Sequence, residues 1–188
     1  MRRFGVAAIV GSLVISGCAT GTASGPDTPP YGALISPTAA MELVFSEVCL
    51  PAILENQPIE TLALRRFMRP VGVRETGSNQ AVAAWRLASY SRVYVMQLPN
   101  GGCSASVDAG DPDALNARAL ELLAARGTFA VGASYETRGG NAVNTAHCSL
   151  ERDRPVVVGL VRKTGGRGAA FRANVFRAQG SPPPFCQA

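Results

Sequence analysis

The chain has 188 residues, 47% hydrophobic and 16% charged, with a formal net charge of +5 and one histidine. That balance belongs to a globular protein and excludes a disordered or collagen-like chain. Of the 18 basic residues only Lys163 is a lysine, and the arginines are scattered without interleaved aromatics, which argues against nucleic-acid binding.

In chain order, Met1-Arg2-Arg3 places positive charge at the extreme N-terminus, and Phe4 to Ile15 follows without any charge. A basic start and a short apolar run are the pattern of a secretory signal, too short to span a bilayer as a helix. The run closes on Ile15-Ser16-Gly17-Cys18: one aliphatic residue, two small ones and a cysteine. This resembles the lipobox of bacterial lipoproteins. The resemblance implies that residues 1–17 are removed and that Cys18 becomes the N-terminus, carrying two or three acyl chains. Two chains anchor stably where one holds only marginally. The resemblance also implies a location in the cell envelope. Ala19 after the cysteine, where an Asp favours the inner membrane in enteric bacteria, points to the outer membrane, facing the periplasm. Residues 18–37 are rich in Gly, Ala, Ser, Thr and Pro, with Asp27 the single charge, and read as the lipidated cysteine and a flexible tether.

Residues 38–188 are the length of one domain with a real core. Ser36-Pro37 is an N-cap and first-position proline, and Met41, Val44, Phe45 and Val48 line one helical face, with Pro51 expected to break or kink the helix. A second short helix is expected from Pro58, carrying Ile59, Leu62 and Phe67. Strands are expected at 81–88, 92–98 and 103–107, the last two joined by the Pro99-Asn100-Gly101-Gly102 turn. Asp111-Pro112 opens the clearest helix, buried through Leu115, Ala119, Leu122 and Leu123 and closed by Gly127. Four more strands follow at 128–136, 142–150, 156–162 and 170–177. The pattern predicts an α+β fold: a mostly antiparallel, curved sheet with two N-terminal helices and one mid-chain helix on one face. No internal repeat is visible in the sequence.

With Cys18 lipidated, Cys49, Cys103, Cys148 and Cys186 remain, an even number in an exported domain, which reads as two disulfides. Three pairings are open. The favoured one joins Cys49 to Cys103, stapling the opening helix to the sheet, and Cys148 to Cys186, pinning the proline-rich tail.

Catalytic signatures are missing from this reading. His147 and Cys148 are neighbours in a strand, so their side chains point to opposite faces and cannot act as a base–nucleophile pair. His147 is expected at a surface or edge position. Ser149 beside it is too little for a triad. Gly77-Ser78-Asn79 lacks a strand-to-helix elbow. One histidine and dispersed cysteines argue against zinc, so neither a metal nor a cofactor is expected. Asp108, Asp111 and Asp113 read as helix capping, with a weak calcium site as the alternative. The glycine-rich stretches 138–140 and 164–168 read as hairpin turns, not phosphate loops. Were an anion bound, Arg138, Arg162, Arg167, Arg172 and Arg177 are the candidates, with Arg162 and Arg172 facing each other across one hairpin. The expectation is a non-enzymatic, envelope-anchored binding or structural module whose partner is a protein or an anionic envelope component. The alternative is a periplasmic hydrolase using carboxylates or His147.

Overall fold

Ser36 and Pro37 start the first helix for a local reason. The Ser36 hydroxyl accepts the Ala39 N–H at 3.1 Å, and Pro37 spends its fixed φ where no helical donor is needed. The structure, a computed structural model, describes residues 35–76, 81–137, 139–149, 155–180 and 183–186. The proposed signal, Cys18, nearly all of the tether, Gly77 to Asn79, Arg138 and the turn expected at 151–154 lie outside them.

Helix α1 (Pro37–Val44) continues through a π-helical turn, Phe45–Cys49, into α2 (Leu50–Leu54). Of the break or kink that the sequence suggested at Pro51, the break does not occur. In a regular α-helix its ring would collide with the carbonyl four residues back; the wider turn just before it makes room. Helix α3 (Ile59–Arg65) stops earlier than expected, because Phe67 turns out of it at φ 55°. The helical run Pro37–Leu54 is long and apolar enough to cross a membrane, and 56% of it is buried within the fold.

Among the described residues eight strands follow in two sets. The first comprises β1 (Met68–Val71), β2 (Ala83–Leu87), β3 (Val93–Gln97) and β4 (Cys103–Val107). Helix α4 (Pro112–Arg126) then leads to β5 (Phe129–Glu136), β6 (Ala142–Ser149), β7 (Val156–Lys163) and β8 (Phe171–Arg177). All pair antiparallel in one sheet of order β1-β2-β3-β4-β8-β7-β6-β5. The chain thus runs twice through helix and four-strand meander, and the two halves meet at the β4–β8 pair. This repetition is topological; the sequence does not display it. Strand β1 was not anticipated because Pro70 sits in it. As an edge strand it tolerates a residue with no N–H to donate.

Helix α4 matches its sequence signals. Asp111 accepts the Asp113 N–H at 3.0 Å, and Gly127 closes the helix at φ 64°.

One face of the sheet forms the main core with the helices. Trp85, Leu87, Val95, Ala105, Val158, Leu160, Phe171 and Val175 join Met41, Phe45, Leu50 and Leu115 in one buried cluster. Burying each large side chain contributes roughly 1.5–3 kcal/mol. Two disulfides add to it. Cys49 in the π turn is bridged to Cys103 on β4 (Cα–Cα 5.2 Å), and Cys148 on β6 is bridged to Cys186 in the C-terminal tail (Cα–Cα 5.6 Å).

Candidate functional site

Strand alternation sends every second side chain away from the helices. The register places Arg69, Arg86, Tyr94, Ser106, Arg172, Val161, Asn144 and Tyr135 in one row across all eight strands on that outer face. A second row beside it holds Val71, Ala84, Met96, Ser104, Asn174, Gly159 and Ala146. None of these residues belongs to the helix-packed core. Two short 3-10 turns reach this face: Glu75 of Val73–Thr76 pairs with Arg86 at 3.8 Å, and Pro184–Cys186 is held against β6 by the Cys148–Cys186 bridge.

The centre of the outer face is shielded: Met96 and Ser104 are each 1% exposed and Ser106 is 0% exposed. Several buried polar atoms there lack partners. The Ser104 and Ser106 hydroxyls, Arg172 Nε and Asn144 Oδ1 make no hydrogen bond of ordinary geometry. Buried polar groups are usually satisfied, because leaving one unpaired costs roughly 1–3 kcal/mol. All four lie on one strip of one face, the Ser106 hydroxyl close enough to Asp108 to favour its charged form.

Charge gathers on the same face. Burial pulls the Arg172 guanidinium down from its usual range, and the Asp108 charge opposes that shift. The same burial raises the Asp108 carboxyl, opposed by Arg172, Arg92 and the nearby Ser106 hydroxyl.

Two clefts border the sheet. One, of about 270 Å³, lies between the ends of β6, β7 and β8 and is lined by Asn141, Val161, Lys163, Arg167, Arg172 and Asn174 among others. The other, of about 300 Å³, lies between the α2–α3 connection and the β3–β4 turn, with Asn56, Gln57, Gln97, Asn100 and Arg177 on its wall. In the second, Arg177 Nη2 donates to the Ile53 carbonyl at 2.9 Å, so this arginine ties strand β8 to helix α2.

The arginine group suggested by the sequence is divided by the fold. Arg167 and Arg172 share the first cleft, and Arg177 lines the second. Arg162 does not face Arg172. Its register partner is Phe171, so it lies on the helix side, where it pairs with Asp113. The three aspartates also separate: Asp111 caps α4, Asp113 takes Arg162, and Asp108 lies within the influence of Arg172 and Arg92. Among the described residues no group of three or more His, Cys, Asp or Glu could hold a metal.

His147 is neither exposed nor at an edge. It is 4% exposed, pairs with Val158 on the helix side of β6, and lines neither cleft. Burial lowers its pKa, and its Nε2 has no partner. Its neighbour Cys148 points to the other face and is held in a disulfide, so no thiol is present there.

Ser104, Ser106, Asn144, Asn174 and Lys163 were not singled out from the sequence. Their signal was ordinary strand alternation, which reads polar positions as solvent-facing. Compared with known proteins, the chain matches no family model, no curated protein and no solved structure.

Proposed function

We propose that the protein is a bacterial envelope lipoprotein, anchored through acylated Cys18 in the outer membrane and facing the periplasm, whose domain is a non-enzymatic binding module. The reading rests chiefly on the strip of buried, unpartnered polar atoms on a sheet face that carries arginines and lies opposite the helix-packed core. The partner is an anionic component of the envelope, because Arg69, Arg86 and Arg172 share the longest row on that face against two acids, Glu75 beside Arg86 and Asp108 beside Arg172. A curved sheet, concave on this side, is part of the proposal. Strand twist accumulates in a sheet of this width, and side chains on a concave face shield one another, as Met96, Ser104 and Ser106 are shielded. The two bridges suit an oxidising compartment.

The test is site-specific photocrosslinking in intact cells. A crosslinker at Arg69 or Val82 is expected to give discrete adducts, and one at Glu60 or Leu64, on the exposed side of α3, is expected to give none. Adducts of equal yield at both sets of positions, or at neither, would defeat the reading.

A further inference from the structure

We infer that the cleft between the ends of β6, β7 and β8 is a seat for a phosphate-ester group. The inference rests on the binding reading above and names the chemistry that this face recognises. The cleft wall carries Lys163, Arg167 and Arg172 with the amides Asn141 and Asn174, and none of the residues lining it is an acid. Lys163, Arg167 and Arg172 face one volume of about 270 Å³; Asp108, outside the lining, acts on Arg172, and an anion seated in the cleft relieves the repulsion that remains.

The donors are arranged for an oxyanion. Arg172 is half-buried and its Nε has no partner, so part of its planar fork is unused. Lys163 Nζ reaches only the Gly168 carbonyl, at 3.4 Å, leaving its other protons for the cleft. A guanidinium fork, an ammonium and neutral amides are the groups that hold phosphate oxygens in charge-assisted hydrogen bonds.

The wall is also pre-organised. The Asn141 carbonyl accepts the Thr164 N–H at 2.9 Å and the Gly165 N–H at 3.2 Å, and Thr164 Oγ1 donates to the Gly140 carbonyl at 3.0 Å. These bonds tie the β5–β6 turn to the β7–β8 turn. Gly166, at φ 70°, lies against Asn141, where a Cβ would approach the amide within 3.3 Å. Arg167 is thus carried on a turn that is fastened to the opposite wall, which lowers the ordering cost of binding. The volume is at the small end of ligand pockets, fitting a phosphate on a small alcohol or sugar. Such a group occurs in free esters and in phospholipid headgroups alike.

The experiment titrates inorganic phosphate and glycerol phosphate calorimetrically into the full chain in neutral-detergent micelles at low salt. It is repeated with micelles doped with phosphatidylglycerol or phosphatidylcholine. Saturable binding is expected, weakened about tenfold or more by Arg167→Gln or Lys163→Gln, the loss typical of one charged hydrogen bond. Arg65→Gln, an exposed arginine on α3 away from this face, is expected to leave it unchanged. Circular dichroism on each variant confirms folding. Heat abolished by phosphatidylglycerol alone assigns the seat to a headgroup, and heat that survives both lipids assigns it to a free ester. The seat is overturned if neither phosphate probe binds at millimolar concentration. It is equally overturned if Arg65→Gln weakens binding as much as Arg167→Gln, since a diffuse field would then suffice. Discrete crosslinks at Arg69 or Val82 without phosphate binding would reject the seat alone. Phosphate binding without such crosslinks would reject the wider face and leave the seat.

Discussion

Replacing Ser104 with Ala should stabilise this protein, contrary to the usual result for a change at a buried position. Ser104 is 1% exposed, lies opposite Met96 and Asn174 in the register, and its Oγ has no hydrogen-bond partner. Keeping a hydroxyl dry and unpaired costs roughly 1–3 kcal/mol. Removing it releases that cost and leaves a void no larger than the lost oxygen, which takes back part of the gain. The expected net effect is a stabilisation of roughly 1 kcal/mol, or a rise in Tm of about 2–4 °C for a domain of this size. Denaturant unfolding of Ser104→Ala beside the parent chain measures it, with a higher midpoint and an unchanged slope. Ser106→Ala should gain less, because the Ser106 hydroxyl also eases the Asp108 carboxylate. If the same variant also loses affinity for the face's partner, the hydroxyl is retained for binding at the expense of stability. A destabilisation of more than about 1 kcal/mol would refute the reasoning, since it would mean the hydroxyl is paired within the fold.

Further consequences can be measured independently. Thiol titration of the denatured, unreduced chain should find none of Cys49, Cys103, Cys148 and Cys186 free, and opening either bridge should cost up to about 4 kcal/mol by its sequence separation of 54 or 38 residues. His147 is held neutral by burial, so its folded pKa lies below its unfolded value. As pH falls through about 6.5 the unfolded chain gains a proton that the folded chain refuses, and stability should drop. In His147→Gln that part of the pH dependence should vanish; an unchanged slope between pH 7 and 5 would count against the buried neutral imidazole. Gly102→Ala should destabilise by roughly 1–3 kcal/mol, because a Cβ there would come within 2.9 Å of the Val175 carbonyl oxygen; chemical denaturation reads the loss. Cys18→Ala should lose incorporation of labelled fatty acid, and labelling that persisted would remove the anchor from the proposal.

Local chemistry was legible in the sequence wherever one or two residues decide the backbone. Ser36-Pro37 and Asp111-Pro112 open helices and Gly127 closes one because capping depends on neighbours in the chain. Seven of the eight described strands were visible through alternation or as apolar runs between turns; the eighth was hidden by Pro70, whose tolerance depends on being at the sheet edge. Pro51 misled for a related reason. The π turn that accommodates it is held among residues buried against the sheet, such as Phe45, Val48 and Cys49, which a local reading does not contain. The candidate site was less legible still. Alternation says that Ser104, Ser106, Arg172 and Asn174 share a face within their own strands, and only the β4–β8 pairing puts them side by side. That pairing joins residues about seventy positions apart, and the register of the β7–β8 hairpin, with Arg162 opposite Phe171, separated Arg162 from Arg172. The sequence by itself determined the helix ends, the turns and the alternating strands, since these follow from backbone geometry over a few residues. The tertiary structure alone decided which polar side chains are buried, which arginines meet and which cysteines are bridged, because burial and charge proximity depend on what the rest of the chain brings alongside.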